Sequence, residues 1–154
     1  MDFNQLLKNK FVFLDGAMGT ELQARGLKLG GVPEILNFTH PEWIEDIHKT
    51  YISAGANIIY TNTFGSNRYK LEETNKTTEE VITEAIKIAK SACKGTDTLV
   101  ALDIGPIGQL LEPTGSLSFE EAYDIFKEQI IAGKDADVIV FETMTDLYEI
   151  KAAV

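Results

Sequence analysis

Four short apolar runs alternate with four amphipathic patterns along this chain, and that alternation limits its fold more than any other feature. The runs are "FVFLD" (11–15), "NIIYTNT" (57–63), "TLVALDI" (98–104) and "DVIVFET" (137–143). Each is rich in β-branched or aromatic residues and nearly continuous, the pattern of strands covered on both faces of a parallel sheet. Thr39-His40-Pro41-Glu42 predicts a capping box with proline in the first helical turn, followed by the stripe Trp43, Ile44, Ile47, Tyr51 and Ile52. Thr77 to Glu80 and Ser118 to Glu121 predict two more capping boxes. Asp146 opens a fourth helix that is still in pattern at Val154. Strand and helix in strict alternation mean βαβ units.

The runs share a second property. Each closes on polar residues: Asp15, then Thr61, Asn62 and Thr63, then Asp103, then Glu142 and Thr143. In parallel α/β folds ligands sit beyond the carboxyl ends of the strands, so four polar ends in succession predict one shared site. These ends recur about every 40 positions, and eight such units would reach roughly 300 residues, within the size range of a (β/α)8 barrel. The fold expected is α/β, of the parallel (β/α)8 TIM-barrel type, with residues 1–154 supplying about the first four βα units and breaking off in the fourth helix. A doubly wound open sheet is the rival. It would place a glycine-rich phosphate loop after the first strand, and "DGAMGT" offers only Gly16 and Gly19.

Net charge is −10, which speaks against a nucleic-acid or anionic-membrane surface, since both call for clustered lysine and arginine. The single cysteine, Cys93, allows no internal disulfide and no cysteine-rich zinc site from this chain alone. It falls on the apolar stripe of a helix, where a buried inert thiol is expected. No apolar run approaches the ~18 residues of a membrane span, and the first residues lack the pattern of a secretion signal. A cytoplasmic protein is the expectation.

The segments "LDGAMGTELQARG", "PEILNFTHPEWIEDIHKTYISAGANIIYTNTFGSN", "DIGPIGQLLEPTG" and "FETMTDLYEIKAAV" together resemble the homocysteine S-methyltransferase family, most of all the homocysteine-binding domain of its cobalamin-dependent members. The resemblance implies a (β/α)8 barrel that moves a methyl group onto the sulfur of homocysteine to give methionine. The donors it implies are methylcobalamin, S-methylmethionine or betaine. It also implies a zinc ion held by three cysteines in the second half of the barrel, none of which falls within these residues. The chain is therefore expected to hold substrate but to lack catalysis by itself. The alternative is a stand-alone half-barrel that serves binding or assembly. Either way, an open half-barrel calls for the rest of the barrel or a second copy to cover it.

The chemistry of homocysteine sets the site residues. The resemblance carries the amino-acid site to Asp15 and Gly16, and a second carboxylate for the ammonium to Glu142. Backbone N–H groups of the Gly16, Ala17 and Met18 turn can receive the substrate carboxylate, because a helix start favours anions. Thr61, Asn62 and Thr63 are expected to shape the pocket floor. Asp103 faces the site either as a substrate contact or as a structural group. Blander readings exist for two of these: Asp15 as a helix N-cap, and Glu142 as an ion-pair partner.

Overall fold

The computed structural model describes residues 3–8 and 11–154. Three strands form a parallel sheet in the order β1 (Ile58–Tyr60), β2 (Leu99–Ile104), β3 (Val138–Phe141). The register pairs Tyr60 with Ala101, Ala101 with Val138, and Asp103 with Val140. The sheet is open, not a closed barrel, among the described residues.

The first apolar run does not form a full strand. Leu14 alone bridges Ile58, in the parallel sense. The Asp15 N–H donates to Ile58 O at 3.0 Å and the Asn57 N–H donates to Phe13 O at 2.7 Å, so the run lies along β1 where a further strand would. One position back, the Asn57 side chain takes the place of the ladder and accepts the Phe13 N–H at 2.9 Å. A side chain that bonds backbone in this way competes with sheet pairing. The spatial order of run and strands thus follows chain order, with no reversal.

Seven helices are described: α1 (Phe3–Leu6), α2 (Met18–Arg25), α3 (Leu36–Thr39), α4 (Pro41–Ser53), α5 (Thr78–Ala92), α6 (Phe119–Ala132) and α7 (Leu147–Ala153), with a 3-10 turn at Pro33–Ile35. The expected capping boxes form at α5 and α6. Thr77 and Ser118 accept the N–H groups of Glu80 and Glu121, whose side chains bond back to the caps. Asp146 caps α7 through the Tyr148 N–H. The box expected at 39–42 does not form. His40 is the N-cap of α4 without a side-chain bond, and the Thr39 hydroxyl turns back to Ile35 O, because Thr39 is the last residue of α3. Pro41 does open α4, and the His40 ring stacks on Trp43 instead.

Alternation along the strands sends successive side chains to opposite faces. Ile59, Val100, Leu102 and Ile104 face the helices, packing on Ala89 of α5, Ile82 and Ile86 of α5, and Phe126 of α6. Helices α4, α5, α6 and α7 lie side by side in that order. Ile58, Leu99, Ala101, Val138 and Val140 face the other way and gather under Leu6 of α1. Residues farther along this second face, Asp103 and Glu142, come out at its carboxyl end. β2 is buried throughout, as expected of a covered strand. β3 is not: Ile139 is exposed, so that strand is covered only in part.

Candidate functional site at the strand ends

An open cavity of about 920 Å³ sits beyond the carboxyl ends of the strands. Every residue singled out from the sequence lines it: Asp15, Gly16, Ala17, Met18, Thr61, Asn62, Thr63, Asp103 and Glu142. The geometry behind them differs residue by residue.

Asp15 is no helix cap. The N-cap of α2 is Ala17, with no side-chain bond, and Asp15 Oδ2 accepts the Tyr60 N–H at 2.9 Å. Burial pushes the Asp15 carboxyl up to about 6, with Glu142 adding to the rise and the Tyr60 N–H opposing it. Gly16 also lies close to the Tyr51 ring, which would have to shift to admit a side chain here. A Cβ there would lie 2.8 Å from Cε1 and Oη of Tyr51, whose hydroxyl donates to Ala17 O at 3.1 Å. Gly19 falls within α2, past the turn.

The Thr61 to Thr63 segment fastens strand ends to one another. The Thr61 and Thr63 hydroxyls are 2.6 Å apart, and Thr63 Oγ1 donates to Asp103 O at 2.7 Å. The Asp103 N–H donates to Thr61 Oγ1 at 3.2 Å. Asn62 points its amide away, donating to Pro33 O and Asn37 Oδ1, while Asn37 Nδ2 donates to Asn62 O. These three residues therefore spend most of their hydrogen-bonding capacity on the wall itself.

Asp103 is buried, and its Oδ1 has no hydrogen-bond partner. Burial, followed by Glu142, Asp15 and Glu34, pushes its carboxyl up to about 8. Glu142 follows β3, its N–H donating to Ile104 O at 3.1 Å. The next residue, Thr143, has φ of 55°, a left-handed conformation that is rare for a β-branched residue.

Two charged residues of the cavity were not legible from the sequence. Glu34, in the 3-10 turn, is buried and accepts the Gly65 N–H at 2.6 Å through Oε1. Burial raises its pKa. Lys70 reaches the cavity from the loop after β1, with its ammonium 4.9 Å from the Phe64 ring centre and its pKa lowered by burial. Neither lies in a periodic element or at a strand end, so no sequence signal marks them. The two histidines stay outside the site: His40 on Trp43, and His48 inside α4, fully buried and held down to about 4 by that burial.

A zinc ion held by thiolates does not fit this chain's residues. No three histidine, cysteine or acidic side chains converge on a metal position among the described residues. Cys93 sits behind the sheet with Ala56, Ile59, Ala89 and Val100, and burial pushes its thiol up to about 11.

A parallel α/β layer carries an open cavity at its carboxyl edge, with Asp15, Asp103, Glu142 and the Gly16–Met18 helix start among its lining residues. The family follows from direct comparison: residues 12–154 match the model of the homocysteine S-methyltransferase family, and the chain belongs to that family. The methionine synthases of Mycobacterium tuberculosis and Mycobacterium leprae are each 34% identical to it across 99% of its length. The chain spans 14% of the length of either relative. Among solved structures, the metallated form of the homocysteine methyltransferase MmuM from Escherichia coli superposes with a TM-score of 0.83 at 26% identity. That match covers 96% of this chain and 59% of MmuM. The apo form of the same enzyme gives 0.75 at 27% identity. No helix among the described residues is long and apolar enough to cross a membrane.

Proposed function

We propose that this chain is the substrate-holding first half of a (β/α)8 homocysteine methyltransferase domain, one that transfers a methyl group to the homocysteine thiol and forms methionine. The observation that carries the reading is the convergence of the end of the first run and the ends of three strands on one cavity, with Asp15, Asp103, Glu142 and the Gly16–Met18 turn on its walls. Family membership supplies the substrate. The unreversed order of run and strands supports a barrel, since a doubly wound sheet turns back on itself at a switch point.

Asp15 and Glu142 take the homocysteine ammonium. The free N–H groups of Gly16, Ala17 and Met18 take its carboxylate, helped by the positive end of α2. Thr61, Asn62 and Thr63 hold the wall in place. These residues contribute binding and orientation, which lower the barrier by fixing the sulfur relative to the donor. A zinc ion held by the rest of the domain would supply activation of the thiol. In this reading its ligands lie in the remainder of the domain, so the 154 residues alone do not transfer methyl groups. Methylcobalamin is the donor favoured by the likeness to methionine synthases, reached through other domains. The protein works in the cytoplasm.

Calorimetry with homocysteine and with methionine on the full-length gene product tests the reading. Micromolar to millimolar binding that is lost in both Asp15→Asn and Glu142→Gln supports it. Binding that is indifferent to both substitutions counts against it.

The exposed apolar edge supports one further reading of how the chain exists. Phe11, Phe13 and Leu14 are all more than half exposed along the first run. We assign them to an interface with the rest of the barrel, or with a second copy when the chain is made alone.

A further inference from the structure

Asp15, Asp103 and Glu142 share one cavity but not one environment. Asp15 accepts a backbone N–H. Asp103 is 7% exposed, and its Oδ1 has neither a protein donor nor exposure to solvent. Its backbone N–H and C=O are both tied to threonine hydroxyls, so the strand end that carries it is fixed. A charged carboxylate in that position has little to carry its charge. The ionisable groups that face it come from every neighbouring element. They are Glu142 after β3, Asp15 after the first run, Glu34 in the 3-10 turn and Lys70 in the loop after β1, with Tyr60 of β1 also in its field. Three are acids. The one cation, Lys70, sits over Phe64. Burial and like charge both oppose ionisation, and the carboxyl is pushed up to about 8.

We propose that Asp103 serves as a neutral carboxylic acid whose hydroxyl donates a hydrogen bond from the cavity wall to the α-carboxylate of the bound amino acid, while Asp15 and Glu142 take its ammonium. The inference rests on the amino-acid site proposed above. A zwitterion brings one positive and one negative end. Three ionised carboxylates around it would set excess negative charge against the substrate's own carboxylate. One retained proton turns a repelling neighbour into a donor. Asp103 thereby selects for ligands that carry the carboxylate, which makes it a specificity residue as well as part of the wall.

Methionine is the probe, because it has no thiol to titrate and keeps its ammonium up to pH 8.5. Its affinity for the full-length gene product is measured by calorimetry from pH 7 to pH 8.5. With the acid at about 8, wild-type affinity falls about fourfold over that range. Asp103→Ala weakens methionine roughly tenfold at pH 7 and removes the fall. Asp103→Asn, which restores a neutral donor, recovers most of that loss and is likewise independent of pH. The decarboxylated analogue 3-(methylthio)propylamine shows no fall with the wild type.

A pH-independent wild type overturns the inference. So does a fall that survives in both variants, or an asparagine variant no better than alanine. Should the variants not fold, the wild-type series with methionine and its amine analogue decides the matter. Absence of methionine binding at any pH overturns the amino-acid site itself, a result distinct from binding that ignores pH.

Discussion

Asp15 Oδ2 accepts the backbone N–H of Tyr60 at 2.9 Å, across the gap between the first apolar run and β1. That bond does the work of a ladder rung just where regular pairing stops, and it turns the carboxylate toward the cavity. Asp15→Asn keeps an oxygen that can accept from Tyr60, so the fold should survive with little loss. The charge is gone, however, and homocysteine affinity should drop about ten- to a hundredfold, the worth of a charge-assisted hydrogen bond. Asp15→Ala should add a stability loss of about 1–3 kcal/mol, because the Tyr60 N–H is then left unpaired. Urea denaturation beside calorimetry separates the two effects. Equal stability loss in both variants would contradict this division of roles.

Thr63 joins two strand ends through one hydroxyl, meeting Thr61 Oγ1 and donating to Asp103 O. Thr63→Val preserves shape and removes the hydroxyl. It should cost about 1–3 kcal/mol in urea denaturation, since the Asp103 carbonyl loses its donor and the Thr61 hydroxyl its acceptor. Thr61→Val should cost a similar amount, and the double variant less than the sum, because both changes break the same pair. Strict additivity would show that the hydroxyls act independently.

Thr143 holds φ of 55° directly after Glu142. A β-branched residue in that region carries strain of about 1–3 kcal/mol, which persists only when its surroundings enforce it. Thr143→Gly relieves the strain and should raise the melting temperature. It should also loosen the backbone that aims Glu142, so substrate affinity should fall. A glycine variant that gains both stability and affinity would mean that the strain has no part in the site.

The sequence made the architecture legible where periodicity and caps agree. The stripe expected from Val81 to Cys93 follows a true capping box; Val81, Ile82, Ala85, Ile86 and Ala89 of α5 are buried, while Cys93, the residue after the helix, is only half-buried. At Thr39 the same four-residue pattern misled, because α3 ends on that threonine and tertiary packing decides which residue starts α4. The first run has the apolar pattern of a strand yet pairs at one bridge only, because the Asn57 side chain competes for the Phe13 N–H, which no apolar count registers. In the cavity, strand-end residues were visible because alternation and chain order place them there. Glu34 and Lys70 were not, since they arrive from irregular loops whose path depends on contacts such as Glu34 with Gly65.

The exposed edge makes a prediction about association. Phe13 and Leu14 lie on the outer run at 62% and 52% exposure, beside backbone that pairs on one side only among the described residues. Made alone, the 154 residues should sediment as a dimer or larger species. Phe13→Lys should shift them toward monomer, because a charge on an edge strand discourages pairing. A stable monomer at high concentration, without any substitution, would contradict the assignment of this edge to an interface.

Stability should depend on pH in a window where Asp103 separates from Asp15 and His48. Its folded pKa is raised from 3.8 to about 8, and that of Asp15 from 3.8 to about 6. In each case the native state keeps a proton that the unfolded chain has released, so stability falls as pH climbs from the unfolded to the folded value. His48 acts in the opposite sense. Its pKa is lowered from 6.5 to about 4, so the unfolded chain gains a proton below 6.5 that the native state refuses, and stability falls as pH drops through that range. The two trends oppose each other below pH 6.5. From 6.5 to 8 the Asp103 contribution stands clear of Asp15 and His48. The unfolding free energy should decline there, with Asp103 contributing no more than the roughly 1.4 kcal/mol per pH unit of one full proton and Glu34, also raised by burial, acting in the same sense. Asp103→Asn should flatten the decline, while Asp15→Asn should leave it in place. Urea titrations at three pH values across the window measure the slope directly, and a wild type whose stability rises from 6.5 to 8 would assign the ionised form to Asp103 instead.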